Sequence, residues 1–306
     1  MDLPLVYVII LNWNLKDETV ECVESVLKST YSPYQGLIVD NGSNDGSVEL
    51  FRSLFSDVDI IANDTNLGWA SGNNVGIEYA LHQKADYVLL LNNDTIVDEN
   101  LLAEMVAVGE SDKEIGILGP LIFYYDEPDK IWHLGVRESR FLPVPRSLAK
   151  DQKDKGQFTS PIPVDYVSGC AMLVKRSVFE VVGLMDAEYF MYYDEVDFCR
   201  RSRKVGFKIA AVPRAKMWHK VSRSARMVSS VIRYHHTKNR VLFYHAHPHG
   251  PHPLLTDIYI VWHTLTRAGF DLLRGRWKLI GPALRGLCAG FRERRNLKSS
   301  LTRDGD

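Results

Sequence analysis

Short apolar runs alternate along the chain with stretches whose apolar residues recur every three or four positions. Val6–Leu11 is an unbroken apolar run, the mark of a strand buried on both faces. Residues 16–29 place Val20, Val23 and Leu27 on one helical face, with Asp17 and Glu18 in the first turn, where acids suit the helix dipole. Gly36–Val39 reads as a second strand ending at Asp40, followed by the turn-rich NGSNDGS at 41–47. A helix over 48–55 turns Val48, Phe51 and Phe55 inward, and Val58–Ile61 is a third strand. Residues 70–83 form a helix, and Tyr87–Leu91 is a fourth strand that ends at Asn92-Asn93-Asp94. This alternation predicts an α/β protein with a parallel sheet covered by helices. Open sheets of that kind bind ligands at the carboxyl ends of their strands, where Asp40 and Asn92–Asp94 stand.

The pattern then changes. Residues 115–123 are strand-like, and the polar, proline-bearing stretch 124–163 predicts loops and short strands. Val164–Val174 reads as a strand interrupted at Ser168-Gly169, and 176–183 as a short helix ending at Gly183. Residues 195–205 form a helix with Asp197 and Arg201 at i,i+4 spacing, and Ile209–Val212 is strand-like. From 226 onward the pattern is helical. The expected division is a domain over 1–250, with halves of about 1–123 and 124–250, followed by a basic amphipathic helical region over 251–306.

Composition narrows the class. The 306 residues are 45% hydrophobic and 25% charged, which suits a globular chain with a sizeable core. No stretch approaches ~18 uncharged apolar residues, so no spanning helix is expected. The N-terminus, MDLPLVYVIILNWN, lacks a basic region and a small-residue cleavage site and reads as a strand, not a signal peptide. Four cysteines lie far apart without a CxxC pair, which argues against structural zinc and a disulfide framework and fits a reducing, cytoplasmic compartment. The net charge of -1 hides an asymmetry: residues 200–306 carry 23 Lys and Arg against 5 Asp and Glu, and residues 1–199 carry 14 against 33. The basic third is expected to face something anionic, such as phospholipid, a lipid-linked diphosphate or nucleic acid.

Several positions can carry chemistry. Asn92-Asn93-Asp94 follows a buried strand, and an acid there can hold a hard divalent cation through oxygen; the same tripeptide can also be a strand-stopping turn. Asp40 can accept a base or ribose hydrogen bond, or close its own turn. Residues 66–76, NLGWASGNNVG, supply glycines for close backbone approach and amides for a polar ligand, including Gly68 and Asn73, and they enter a helix whose N-terminus suits phosphate. Neither GxGxxG nor GxxxxGK[ST] occurs. Asp194-Glu195-Val196-Asp197 follows Phe190-Met191-Tyr192-Tyr193. Mutual repulsion and an aromatic lead-in raise carboxylate pKa, which suits a general base. Asp197 is expected to pair with Arg201, leaving Asp194 and Glu195 for function. His219 alone reads as structural. His235, His236, His245, His247, His249 and His252 follow no metal spacing and read as loop or surface residues, some of them facing an acceptor.

VIILNWN (8–14), IVDNGSNDGS (38–47), NLGWASGNNVGI (66–77), LLLNNDT (89–95), SGCAMLVKRSVFEVVGLMD (168–186), FMYYDEVDFCRR (190–201) and WHKVSRS (218–224) occur in one order. The series resembles inverting family 2 glycosyltransferases, particularly the rhamnosyltransferase-like branch, over roughly residues 5–245. The resemblance implies a GT-A fold, a Rossmann-like nucleotide-binding half fused to an acceptor half. It implies a nucleotide-diphosphate sugar donor, with dTDP-rhamnose favoured and a UDP-sugar possible, and Mn²⁺ or Mg²⁺. Asn12, Asp40, Gly68, Asn73 and Asn92 then fall on the donor side. Asn92 replaces the first acid of the DxD position, Asp94 is the implied metal ligand, and His219 matches the histidine that completes the metal site. The acceptor-side motif of the family reads Glu-Asp-x-Asp with its second residue as base. Here Glu195 holds the base position, with Asp194 as its competitor.

The implied reaction is a single displacement with inversion, in which Glu195 takes the proton of a glycan or lipid-linked acceptor hydroxyl. A covalent route needs a second, separately placed carboxylate, and none is evident. A sugar nucleotidyltransferase would carry a Gly-rich basic loop after the first strand, where Asn12-Trp13-Asn14-Leu15 stand. A non-catalytic sugar-binding module would have lost the base or the metal acid, and both are present. No motif for binding nucleic acid beyond the donor nucleotide occurs. Residues 254–298 combine Tyr259, Trp262, Phe270, Trp277 and Phe291 with nine Lys and Arg side chains, Arg295 and Lys298 among them. That mix predicts peripheral association with an anionic membrane surface, on its cytosolic face.

Overall fold

The computed structural model describes residues 3–138, 145–221, 229–248 and 253–301. Residues 222–224 of the last motif, His249, His252 and the side chains of Arg295 and Lys298 lie outside the described residues. Two compact units are present: one of Met1–Arg137, Arg146–Phe190 and Asp194–Arg223, the other of Glu138–Pro145, Met191–Tyr193 and Ser224–Asp306.

The first unit is built on a ten-stranded mixed sheet. Its first half runs β1 (Val6–Asn12), α1 (Lys16–Val26), β2 (Tyr34–Asp40), α2 (Ser47–Leu54), β3 (Asp59–Ala62), α3 (Gly68–His82), β4 (Tyr87–Asn92), β5 (Thr95–Val97) and α4 (Leu101–Ser111). There follow β6 (Ile115–Tyr124), β7 (Ile131–His133), β8 (Ile162–Pro163), β9 (Ala171–Lys175), α5 (Arg176–Val182), α6 (Asp194–Lys204) and β10 (Lys208–His219). The strand order is β8-β10-β6-β9-β4-β1-β2-β3, with β5 on β10 and β7 on β6. β3, β2, β1 and β4 are mutually parallel, as the alternation predicts. β9 enters antiparallel to β4, so the sheet is mixed beyond that point.

Strand parity explains the unbroken apolar runs. Val6, Val8 and Ile10 pack with Cys22, Val23 and Met105 on one face, and Tyr7 and Ile9 pack with Ala70 and Ile77 on the other. Successive side chains of a strand point to opposite faces, so a strand covered on both sides has no polar position. Each fully buried Ile or Leu contributes about 1.5–3 kcal/mol.

Three differences from the sequence pattern have local causes. α4 is a full helix that the apolar stretch LLAEMVAV does not separate from a buried strand. The strand expected over 164–174 begins only at Ala171, because Ser168–Ala171 close a turn through Ala171 N–H to Ser168 O at 3.3 Å. β10 extends to His219 across a register shift between Val212 and Lys216, where Pro213 reads as a stop in sequence.

The second unit holds α7 (Ser229–Ala246), α8 (Pro253–Leu273), a short 3-10 turn (Trp277–Leu279) and α9 (Ile280–Leu301). Val241, Leu242 and Phe243 of α7, Ile260 of α8 and Ala283 and Ala289 of α9 are buried. Lys238 pairs with Glu293 at 2.8 Å and Arg294 with Asp257 at 2.8 Å. His235, His236 and His245 lie within α7, so these three are not loop residues, and His247 in the bend just beyond it is buried, so it is not a surface residue.

Candidate active site

The carboxyl ends of β1, β2 and β4 lie side by side, with Asn12 in register with Asp40 and Leu11 with Asn92. Asn12 is fully buried and donates through Nδ2 to Asp40 Oδ2 at 2.6 Å and to Ser43 Oγ at 3.1 Å. Its Oδ1 accepts from Thr19 Oγ1 at 2.8 Å and from Asn93 Nδ2 at 3.1 Å. Asp40, 1% exposed, takes the Ser43 N–H on Oδ1 at 2.9 Å. Asp40 therefore closes its own turn and, with Asn12, fixes the 41–47 loop. Asn93 belongs to the same buried network, reaching Thr19 Oγ1 at 2.9 Å.

The loop entering α3 uses its glycines and amides on the protein itself. Gly68 holds φ +85°, and a Cβ there would lie 2.5 Å from the Phe190 carbonyl oxygen, so both conformation and space require glycine. A Cβ on Gly72 would meet Leu11 at 2.8 Å, so this glycine sets α3 directly against the sheet. Asn41, which sequence reasoning passed over, holds the loop with four hydrogen bonds: Nδ2 to Asn66 Oδ1 and Gly68 O, and Oδ1 from Asn63 Nδ2 and Leu67 N–H. The first amides of α3 are already taken, Gly68 N–H by Asn66 Oδ1 and Trp69 N–H by Phe190 O. These two are not open to phosphate, contrary to the expectation for this helix start. Asn73 donates to Trp69 O at 2.9 Å, and its buried Oδ1 has no partner among the described residues.

Asn92 accepts the Trp69 indole N–H on Oδ1 at 3.1 Å. Asp94 and His219, both nearly buried, face one another with Oδ1 and Nε2 at 3.1 Å. Antiparallel pairing of β5 and β10, with Thr95 opposite His219, brings them together. His219 Nδ1 is buried without a partner among the described residues, and Trp132 packs edge-on against the imidazole at 4.6 Å. Beside them Lys220 Nζ reaches Glu21 Oε2 at 2.5 Å. Cys22, whose thiol burial pushes up to about 12, and Cys170, pushed well above the usual thiol range by burial, are inert packing residues.

The two acids at the start of α6 occupy different environments. Asp194 is 3% exposed; its Oδ1 accepts the Glu195 N–H at 3.1 Å and its Oδ2 has no partner among the described residues. Burial first, and then the neighbouring Glu195 carboxylate, hold its pKa well above the usual carboxylate range. Glu195 is only partly buried. Gly169 opens the space beside it: a Cβ there would lie 2.9 Å from the Trp69 ring and 3.3 Å from Glu195 Cβ. Gly169 thus lies between the Trp69 ring, whose N–H holds Asn92, and Glu195, a neighbourhood that only the three-dimensional arrangement reveals. Asp197 pairs with Arg201 at 2.7 Å, as its spacing predicts.

The profile of the glycosyl transferase family 2 domain matches residues 7–183, more than half of the chain. The chain belongs to glycosyltransferase family 2. This family 2 chain is 31% identical over 197 residues to the low-salt glycan biosynthesis hexosyltransferase Agl10 of Haloferax volcanii, a match spanning 61% of this chain and 60% of that protein's length. It is 27% identical over 244 residues to the N-acetylglucosaminyl-diphospho-decaprenol L-rhamnosyltransferase of Mycobacterium tuberculosis, covering 73% of this chain and 78% of that one. Among solved structures, the mannosyltransferase PcManGT of Pyrobaculum calidifontis, in complex with GDP-Man and Mn²⁺, superposes with a TM-score of 0.57 at 14% identity, covering 99% of this chain and 81% of the other. The fold is GT-A.

The family 2 site offers a divalent cation two donors, a hard carboxylate oxygen of Asp94 and the His219 imidazole. No group of three His, Cys, Asp or Glu suited to a metal occurs among the described residues. Two donors fit a cation that takes its remaining ligands from phosphate oxygens and water, as Mg²⁺ and Mn²⁺ do at nucleotides. The approach of His219 Nε2 to Asp94 Oδ1, both nearly buried, suits that half-site.

Proposed function

We propose that this glycosyltransferase moves a sugar from a nucleotide-diphosphate sugar, with dTDP-rhamnose favoured over a UDP-sugar, to a hydroxyl of a glycan or lipid-linked acceptor, with inversion. The observation that carries the reading is the split between two adjacent carboxyl groups. Asp194 is buried, which favours its protonated form, whereas Glu195 is only partly buried beside Gly169, so Glu195 is the group placed to accept a proton from an acceptor. As the acceptor oxygen bonds to the anomeric carbon, its proton passes to Glu195 and the bond to the diphosphate breaks with its electron pair. Asn12, Asp40 and Ser43 fix the loop beside the base and ribose, and Trp69 orients Asn92. Asp94 and His219 would hold the divalent cation, which as a Lewis acid neutralises charge developing on the diphosphate. The resemblance to the rhamnosyltransferase branch and the relatives above support the donor class.

A thermal-shift panel of nucleotide sugars with Mn²⁺ tests the donor. A ligand binding only the folded chain raises Tm by mass action, about 2.7 kcal/mol at a hundredfold excess over Kd. The expected result is the largest rise with dTDP-rhamnose. No rise with any nucleotide sugar would overturn the reading.

Peripheral association with the cytosolic leaflet is part of the same proposal. No helix among the described residues is long and apolar enough to cross a membrane. Leu255, Ile258, Trp262, Leu265 and Leu272 form one exposed apolar stripe along α8, and Trp277 follows. Arg274, Arg276, Lys278, Arg285 and Arg292 are exposed as well, and each basic residue adds about 1 kcal/mol at an anionic surface. Binding to liposomes is expected to grow with anionic lipid, to weaken with salt and to drop in Trp262→Glu. Absence of binding at low salt would remove the membrane from the account.

A further inference from the structure

The second unit contains a concentration of positive charge that the transfer reaction leaves unexplained. α7 carries Arg233, His236 and Arg240 on one face, and α8 turns His263, Arg267 and Asp271 toward them, around a cleft of about 10 Å³. Three guanidinium groups meet one carboxylate. Asp271, 5% exposed, is already engaged with Arg233 at 2.6 Å.

Arg240 is the anomaly. It is 9% exposed, yet its partners are neutral: the Tyr193 hydroxyl at 3.0 Å, and the imidazoles of His263 and His236. Among the described residues it pairs with no carboxylate, and neither does Arg267, which is exposed at the mouth. Burial, and after it the neighbouring arginines, push His236 down to about 3 and His263 down to about 4, so neither imidazole adds charge at neutral pH. A buried guanidinium without a counter-ion is destabilising, and the cost is relieved when an anion completes the site.

We propose that this cleft binds a phosphoryl oxyanion, a phosphate or diphosphate group, between Arg240 and Arg267. Two guanidinium forks match the oxygens of a phosphoryl group bidentately. The surplus of two positive charges suits a phosphate or diphosphate better than a single carboxylate. The cleft as folded has room for about one solvent molecule. The exposed Arg267 side chain is therefore the part that yields on entry. Tyr193 joins the site from a short segment in which Tyr192 and Tyr193 both hold left-handed φ, at +67° and +71°. Asn239 of α7 fixes that segment through the carbonyls of Met191 and Tyr192 at 2.9 and 3.0 Å. The proposal stands on the cleft and not on the identity of the donor.

The test uses the full chain in EDTA, with inorganic pyrophosphate as the probe and calorimetric Kd and Tm as readouts. Pyrophosphate is expected to bind the wild type and raise its Tm. Arg267→Gln, at an exposed position, is expected to bind about tenfold or more weakly, since one charge-assisted contact is lost. Asp94→Asn is the control for the donor site and is expected to bind as the wild type does. No binding, or binding unchanged in Arg267→Gln, would overturn the proposal. A second arm identifies the source of the phosphate. Retention on neutral phosphatidylcholine vesicles only when they carry a prenyl diphosphate, sensitive to Arg267→Gln, assigns the cleft to a lipid head group. Binding of free pyrophosphate without such retention assigns it to a soluble phosphate.

Discussion

Glu195→Gln is expected to lower transfer by about 10²–10⁴-fold, the usual loss when a general base is removed, while donor binding stays unchanged. Glutamine keeps the shape and cannot take the acceptor proton. Asp194→Asn is expected to lose much less, because asparagine is close to isosteric with the neutral carboxyl that burial favours at this position. Its effect belongs instead to stability. The folded pKa of Asp194 lies above its unfolded value of about 3.9, so the folded chain keeps a proton that the unfolded chain has released. Stability is therefore lost as pH rises from about 3.9 through the raised folded value. An asparagine side chain cannot ionise, so the Tm advantage of Asp194→Asn over wild type is expected to be larger at pH 7 than at pH 4. Kinetics and thermal melts at the two pH values check both halves. A larger rate loss in Asp194→Asn than in Glu195→Gln would exchange the two roles.

Asp94→Ala is expected to remove Mn²⁺-dependent transfer and, with it, the Mn²⁺-dependent part of the thermal shift given by a nucleotide sugar. Loss of a group that stabilises developing charge costs about 10²–10³-fold in rate in comparable sites. His219→Ala is expected to weaken Mn²⁺ affinity and also to cost stability, because the imidazole packs edge-on against Trp132 and such a contact contributes about 0.5–1.5 kcal/mol. Full activity of both variants in EDTA would show that Asp94 and His219 form an ordinary buried pair.

The family and the strand–helix order were legible in the sequence because their signals are local. An apolar run of six residues can be a strand only if both faces are covered, and β1 meets that condition with every residue from Val6 to Ile10 buried. The i,i+4 spacing of Asp197 and Arg201 contains its own geometry, and their ion pair follows from helix pitch alone. β2 and β4 end at Asp40 and Asn92, the residues that interrupt the apolar runs themselves.

What the tertiary structure decided concerns groups whose environment is supplied from far along the chain. Asp194 and Glu195 are adjacent and chemically alike, and their difference is burial, which no local pattern encodes. The glycines and amides of 66–76 promise a ligand loop in sequence; in the fold Gly68, Gly72 and Asn41 are used to seat α3 on the sheet. His219 meets Asp94 across 125 positions, and Asn93 meets Asn12 across 81, through strand pairings that only the sheet order creates. The basic C-terminal third is uniform as a charge count. The fold pairs some of it with Asp257, Asp271 and Glu293, leaves some exposed beside an apolar stripe, and buries Arg240 away from any described carboxylate. Composition fixes how much charge a chain carries; packing alone decides which charges are desolvated, and desolvation is what turns a charge into a site.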